Sequence, residues 1–159
     1  MFRLRHDLID VCPYGYSFNQ NVFIVAIPII WIVNFITFSS EDIESQKPLL
    51  CPGVTHYAPF FGSEPAKFEG KLANNKAWMD NFDDISYDDS KWFPGTDDSG
   101  KPNGSVMTSG SWTAKSIATG NVIKVSAFHT FVFNAKNQIH EARDYFDATG
   151  VMAAAMKVD

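Results

Sequence analysis

Two side chains that can exchange protons, His129 and Asp144, lie in a part of the chain that is rich in aromatic residues. A carboxyl group among aromatic side chains has its pKa raised by desolvation and lowered again by an adjacent imidazolium, so the pair could exchange a proton near neutral pH. Such a pair suits general acid–base catalysis. The alternative is that His129 and Asp144 only hydrogen-bond to each other and satisfy two buried polar groups.

The two residues meet only if the C-terminal part of the chain folds as an antiparallel sheet. Three segments, at about 105–118, 122–134 and 138–148, alternate with the period of a strand. Residues 119–121 and 135–138 are typical of hairpin turns, so we expect neighbouring strands to be antiparallel and to form a meander.

The second hairpin determines which residues share a face. If Lys136 and Asn137 are its central residues, the cross-strand pairs are Phe133–His140, Phe131–Ala142 and His129–Asp144. The first hairpin brings Trp112 to the same side. We therefore expect an inner wall in which aromatic side chains surround His129 and Asp144. The opposite face would carry Thr130, Val132, Glu141, Arg143 and Tyr145.

An uncharged apolar run at 22–38 has a role that the sequence leaves open. It is at the short limit for crossing ~30 Å of hydrocarbon, and Pro28 interrupts it. A membrane anchor or signal segment, a buried element and an atypical extension are the alternatives. Because Pro and Gly are dense at 47–53, we expect an N-terminal extension at 1–47 and one domain at 48–159.

An amphipathic helix is expected before the sheet, from about Ser63 to Phe82, either continuous or broken in two at Gly70 or Asn74-Asn75. Its apolar side would consist of Phe68, Leu72, Trp78 and Phe82. Its solvated side would consist of Lys67, Glu69, Lys71, Asn74 and Lys76.

The composition excludes several classes of partner. With 159 residues and 45% hydrophobic content, the chain has the size and core of one globular domain. A net charge of −5 and the lack of a basic run argue against nucleic acid as a partner. Cys12 and Cys51 lack the spacing of a zinc site, and the acidic residues at 80–89 lack the pattern of a calcium loop. We expect no metal and no organic cofactor.

Four short motifs carry a family resemblance. They are Gly-Ser-Trp-Thr-Ala at 110–114, Thr-Gly at 119–120, Phe-His-Thr-Phe at 128–131 and Ile-His-Glu-Ala-Arg-Asp-Tyr-Phe-Asp at 139–147. Together they resemble the SnoaL-like, ketosteroid-isomerase-like group of the nuclear-transport-factor-two-like superfamily. The resemblance covers about residues 50–156 and implies an α+β fold in which a curved antiparallel sheet wraps around helices to form a cone with an apolar internal pocket.

Among members of that superfamily, the limonene-epoxide hydrolases have a similar Arg-Asp-Tyr-Phe-Asp ending, which implies an acid–base role for Asp144. Their Tyr-x-Asn-x-Pro motif is similar to residues 55–59, and this likeness would direct Thr55 and Tyr57 to the pocket and leave His56 at the surface. Their Arg-x-Asp pair corresponds to the uncharged Ser-Trp-Thr at 111–113. The epoxide-hydrolase triad is therefore absent, and His129 would have to supply the missing acid or base.

Two functions from different classes follow. The first is an isomerase, dehydratase or hydrolase that acts on a small apolar molecule in a pocket of roughly a few hundred Å³, with Asp144 and His129 as the catalytic pair. The residues expected to bind the substrate are Tyr57, Thr55, Trp112, Phe131, Ala142 and Phe146. The alternative is a non-catalytic module that binds a ligand or forms a homodimer through the outer face of the sheet, at Thr130, Val132 and Tyr145. A cytoplasmic location is favoured, with a membrane tether at 22–38 as the alternative.

Overall fold

A five-stranded sheet is the main wall of the molecule in the computed structural model, which describes residues 35–158. In chain order the strands are β1 (Leu50–Tyr57), β2 (Phe82–Thr96), β3 (Pro102–Ser116), β4 (Val122–Phe133) and β5 (Ile139–Tyr145). They lie side by side in the order β1-β5-β4-β3-β2, so β5 is flanked by β1 and β4. The expected α+β class is confirmed.

The meander from β2 to β5 follows from alternation and turn chemistry. All three of its strand pairs are antiparallel. The expected pairs His129–Asp144 and Phe131–Ala142 are confirmed. Phe133 pairs with Ile139 rather than with His140, because the register shifts by one residue at the end of β4.

The first strand departs from the expected antiparallel sheet. β1 lies parallel to β5, with His56 opposite Ala142. The sheet is therefore mixed, and a strand from early in the chain is placed beside the strand that carries Asp144.

The strand β2 is long and irregular, which explains why its alternation in the sequence is weak. Its register against β3 shifts between Asp83 and Ser86 and again between Asp88 and Lys91. Asp84 and Asp89, which lie at these shifts, both have φ of 54°. Aspartate tolerates this left-handed conformation better than most residues, and extra residues of this kind bend and twist a strand.

Three α-helices lie wholly within the described residues: α1 (Ile43–Gln46), α2 (Phe68–Met79) and α3 (Ala148–Met156). Residues 35–39 are also helical, and a 3-10 turn (Lys47–Leu49) connects α1 to β1. α2 begins later than predicted because Ala66 still exchanges two backbone hydrogen bonds with His56, each 2.8 Å long. α3 begins where β5 was expected to continue. The side chain of Asp147 accepts a hydrogen bond from the backbone N–H of Gly150 at 2.8 Å and caps this helix.

The segment before the expected domain boundary at residue 48 packs on the domain. The rings of Phe35 and Phe38 both lie 5.2 Å from the ring of Trp112, and Gln46 is fully buried. Residues 22–34 of the apolar run, and the alternatives proposed for them, lie outside the described residues. Within 35–158, no helix is long and apolar enough to span a membrane.

The core consists of two apolar clusters on the inner side of the sheet. One is centred on Val54, Phe131 and Ile139, and the other on Phe82 and Val151. The first packs under α2, and the second packs under α3. The candidate site lies on the same inner side.

Candidate functional site

A cavity of about 100 Å³ lies on the inner side of the sheet. Most of its lining is aromatic or aliphatic, and its polar lining residues are His56, Lys71, Asn75, His129 and Asp144. Phe60 both lines the cavity and is 41% exposed, so it lies where the cavity meets solvent. The volume is smaller than the few hundred Å³ expected from the sequence, because the large rings of residues such as Trp78, Trp112 and Phe146 occupy much of the space.

The carboxylate of Asp144 is the centre of the polar groups. One of its oxygens, Oδ2, lies 2.7 Å from Nε2 of His56, and the other, Oδ1, lies 2.8 Å from Nδ1 of His129. Nζ of Lys71 lies 4.0 Å from Oδ2. Only 15% of the Asp144 side chain is exposed, and both imidazoles are buried. The parallel neighbour β1 thus supplies His56, and the antiparallel neighbour β4 supplies His129.

The protonation of His129 follows from its partners. The indole N–H of Trp112 donates to Nε2 of His129 at 2.9 Å. Since an indole N–H can only donate, Nε2 must carry a lone pair, and the ring is neutral with its proton on Nδ1. That proton is donated to Asp144. Both nitrogens of His129 are therefore engaged.

His56 is bonded at one nitrogen only. Nε2 donates to Asp144, whereas Nδ1 is buried and has no hydrogen-bond partner among the residues that the structure describes. An unsatisfied buried polar atom costs about 1–3 kcal/mol. Such an atom beside a cavity is a candidate for contact with a ligand.

A chain of polar contacts continues from the carboxylate into α2. Nζ of Lys71 donates to Oδ1 of Asn75 at 3.1 Å, and the amide nitrogen of Asn75 donates to Oε1 of Gln46 at 2.6 Å. Lys71, Asn75 and Gln46 are all buried. The inner face of α2 is therefore partly polar, and the expectation that Lys71 belongs to its solvated side is wrong.

The pKa values in this cluster are coupled. Burial alone would raise the pKa of Asp144, but the Lys71 ammonium and the hydrogen bonds from His129 and His56 hold that pKa well below its ordinary value of 3.8. Burial lowers the pKa of His56 below 6.5, as does Lys71, while Asp144 opposes the shift. Asp144 is therefore ionised and His56 neutral at neutral pH. The expectation that Asp144 exchanges a proton near neutrality is not supported, because its pKa is too low.

The described part of the chain, 35–158, holds no group of three or more His, Cys, Asp or Glu side chains that could bind a metal ion. The polar side of the cavity is instead a network of hydrogen bonds around one carboxylate.

The sequence matches no protein-family model and no curated protein. Solved structures do match. A proposed isomerase from Bacillus subtilis is 15% identical, with a TM-score of 0.67 over 80% of this chain and 91% of its own. A proposed SnoaL-like polyketide cyclase from Jannaschia sp. CCS1 is 16% identical, with a TM-score of 0.65 over 84% and 93%. A protein with a ketosteroid isomerase-like fold from Catenulispora acidiphila, solved with trimethylamine, is 11% identical, with a TM-score of 0.66 over 80% and 92%.

The chain has the SnoaL-like, ketosteroid-isomerase-like fold. The resemblance found in the sequence is confirmed at this level, and identities this low establish the fold and not an activity.

The SnoaL-like fold brings together most of the predicted site residues. His129 and Asp144 are in contact, and Trp112, Phe131 and Phe146 line the cavity with them. Ala142 does not line it, because its short side chain is fully buried in the core below.

The prediction that the side chains of Thr55 and Tyr57 point into the pocket is wrong. In the register of β1 against β5, Tyr57 lies opposite Arg143 on the outer face, where the Arg143 guanidinium is 3.9 Å from the centre of the tyrosine ring. Side chains alternate along a strand, so His56 points inward in their place. The buried Leu50 and Val54 have the same parity as His56 and are the signal in the sequence that could have shown this.

The assignment of the two imidazoles in this site can be tested by nitrogen chemical shifts from long-range proton–nitrogen NMR correlations. At neutral pH we expect His129 to be protonated only on Nδ1 and His56 only on Nε2. The Trp112→Phe substitution should abolish the pure Nδ1–H form of His129, because it removes the donor to Nε2.

The matched control is Trp78→Phe. The ring of Trp78 lines the same cavity, but its N–H makes no side-chain hydrogen bond within 35–158. This variant should leave the His129 tautomer unchanged. An imidazolium at His129 in the unmodified chain would contradict the assignment.

The coupling between Asp144 and Lys71 can be tested by urea unfolding. Asp144→Asn should lower the free energy of unfolding by about 3–5 kcal/mol, since it leaves a buried ammonium without its counter-charge. The asparagine side chain also has only one oxygen, whereas the N–H groups of His56 and His129 each donate to a different oxygen of Asp144. Adding Lys71→Met should recover part of this loss, with a coupling free energy of about 0.5–3 kcal/mol.

The exposed pair formed by Lys76 on α2 and Asp80 directly after it, 2.6 Å apart, is the matched control. The double-mutant cycle of this pair should give a coupling free energy of less than about 1 kcal/mol. Strict additivity of the Asp144 and Lys71 substitutions would show that the buried pair does not interact.

Proposed function

We propose that this chain is an enzyme that moves a proton on a small, mostly apolar molecule, with His56 as the general base. The class of reaction is that of an isomerase, dehydratase or hydrolase. The observation that supports it is the unpartnered Nδ1 of His56, which belongs to a ring that lines the cavity and is bonded to an ionised carboxylate through its other nitrogen.

The roles of the two imidazoles differ because their partners differ. Asp144 accepts from Nε2 of His56 and so keeps the lone pair of His56 on Nδ1, which is the arrangement that makes an imidazole a base. His129 is bonded at both nitrogens, to Asp144 and Trp112. In this proposal, Asp144 and His129 position the base, and the sequence-based assignment of His129 as the acid–base partner is replaced by His56.

The size of the cavity restricts the substrate. About 100 Å³ leaves room for a few heavy atoms, in the range of a small cyclic or branched molecule. The trimethylamine held by the protein from Catenulispora acidiphila is of this size class. We therefore expect substrates well below the size of a steroid.

Deuterium exchange at the α-carbon of cyclopentanone, followed by proton NMR in D₂O, tests the base directly without knowledge of the natural substrate. The chain should accelerate the exchange over buffer. His56→Gln should lower the protein-dependent rate roughly 100-fold or more, the usual size of a general-base contribution. Asp144→Asn should also lower it, because His56 loses the acceptor that orients it.

The matched control is His140→Gln on β5, since His140 does not line the cavity. It should retain the exchange rate. An unchanged rate in His56→Gln would remove His56 from the mechanism.

The rate should also rise with pH and then level off, since only neutral His56 accepts a proton. Burial lowers the pKa of His56, the Lys71 ammonium lowers it further, and Asp144 raises it, so the midpoint should lie below the ordinary 6.5. A midpoint above that value would contradict the proposal.

We also propose that two copies of the chain pair through the outer face of the sheet. Phe128 and Tyr145 are both exposed there, opposite each other on β4 and β5, with ring centres 6.1 Å apart. Adjacent exposed aromatic rings are typical of protein interfaces. The expected outer-face residues Thr130 and Val132 follow Phe128 on β4.

Sedimentation velocity tests this pairing. The unmodified chain should sediment as a dimer, and Phe128→Lys should shift it to monomer by placing a charge in the interface. Ile117→Lys, at an exposed position after β3, should leave the dimer intact. A monomeric unmodified chain would refute the pairing.

A further inference from the structure

We propose that Lys71 is a nucleophilic amine that forms an imine with the carbonyl group of a small, uncharged aldehyde or ketone in the cavity. The inference shares the cavity with the proposed function but not its proton-transfer step. It assigns a second reactive group to the site, on α2 instead of on the sheet.

The position of Lys71 separates it from ordinary surface lysines. Its side chain is buried, and it lines the cavity. A lysine is almost never fully buried unless its charge is paired. Here the closest carboxylate oxygen, on Asp144, is 4.0 Å away, which is too far for a hydrogen bond.

The amine is also sparsely hydrogen-bonded. An ammonium group has three N–H donors, and in residues 35–158 Nζ of Lys71 makes one hydrogen bond, to Asn75. The other lysines of α2 and its N-terminal flank have solvent or a close oxygen: Lys67 donates to Thr55 at 2.8 Å and Lys76 to Asp80 at 2.6 Å. Lys71 is therefore both poorly solvated and incompletely bonded.

These surroundings give Lys71 a larger fraction of the neutral, nucleophilic amine than an exposed lysine has, while the ammonium remains the resting form. Burial lowers the pKa of Lys71 below 10.5, and the charge of Asp144 only partly opposes this shift. Desolvation in an apolar pocket is one of the ways in which proteins make a lysine reactive toward carbonyl compounds.

The reaction balances without an oxidant or a reductant. The nitrogen lone pair of Lys71 forms a bond to the carbonyl carbon, the carbonyl π bond breaks, and one amine proton moves to the oxygen to give a carbinolamine. The C–O bond then breaks, the second amine proton leaves with the oxygen as water, and a C=N bond forms. One amine and one carbonyl give one imine and one water.

The charge of the site restricts the carbonyl class. Asp144 is ionised and lies beside Lys71, so a ligand carboxylate would be placed next to a like charge in apolar surroundings. The geometry therefore favours neutral aldehydes and ketones over keto acids. The small volume favours short or cyclic ones.

Reductive trapping tests this inference on the unmodified full-length chain. The chain is incubated with propanal and cyanoborohydride, and the rate of propylation of each lysine is measured by peptide mass spectrometry. Lys71 should be labelled several times faster than the exposed Lys76 on the same helix, because burial lowers the pKa of its amine and so gives more free amine near neutral pH.

Two further arms identify the cavity as the place of reaction. Cyclopentanol, which lacks a carbonyl group but has the shape of a small cyclic ketone, should slow the labelling of Lys71 and leave that of Lys76 unchanged. Pyruvate in place of propanal should label Lys71 no faster than Lys76.

Labelling of Lys71 by propanal at or below the rate of Lys76 would overturn the inference, as would labelling that cyclopentanol does not slow. Imine formation is detected as added mass on Lys71, and proton transfer is detected as deuterium in cyclopentanone. A failure of the imine proposal can therefore be distinguished from a failure of the proposed proton transfer by His56.

Discussion

The largely buried carboxylate of Asp144 is the group on which the arrangement of this site depends. A lone carboxylate in an apolar wall would be costly to bury, and it is retained because three basic groups surround it. Each of these comes from a different element: His56 from β1, His129 from β4 and Lys71 from α2. One charge thus connects both neighbours of β5 and the helix that packs over the sheet.

The chemistry proposed for the site follows from the different numbers of hydrogen bonds that these three basic groups make. His129 is bonded at both nitrogens and is fixed, whereas His56 keeps a free nitrogen and Lys71 keeps unused donors within the described residues. The reactive atoms are therefore the ones that the hydrogen-bond network leaves incomplete. Aromatic rings fill the rest of the space and keep the cavity small, which strengthens every electrostatic interaction inside it.

Much of the sheet could be predicted from the sequence, because hairpins are local. Alternation and turn residues were enough to place His129 opposite Asp144, and Trp112 on the same wall. The parallel β1 could not be placed this way. It pairs with β5 across a long stretch of chain, and no turn fixes its register. The likeness of residues 55–59 to another motif then suggested the wrong parity, so Thr55 and Tyr57 were predicted to point inward where His56 does.

The helix shows a second limit of pattern reading. A lysine on an amphipathic helix is expected in water, and the charge of Lys71 gave no hint of its counter-charge far along the chain. Its burial becomes intelligible only beside Asp144, with Asn75 and Gln46 completing the polar inner face. The polar residues on that face also make the helix less amphipathic than a helix that covers a purely apolar core.

The central position of β5 gives the polar cluster an influence on strand pairing. A slip of one residue by β1 or β4 would turn His56 or His129 to the outer face, since side chains alternate along a strand. The charge of Asp144 would then remain buried with a missing donor. Misregistered sheets of this chain are thus penalised electrostatically as well as by exposure of apolar side chains, and the same groups that are proposed to act on a ligand help to select the correct topology.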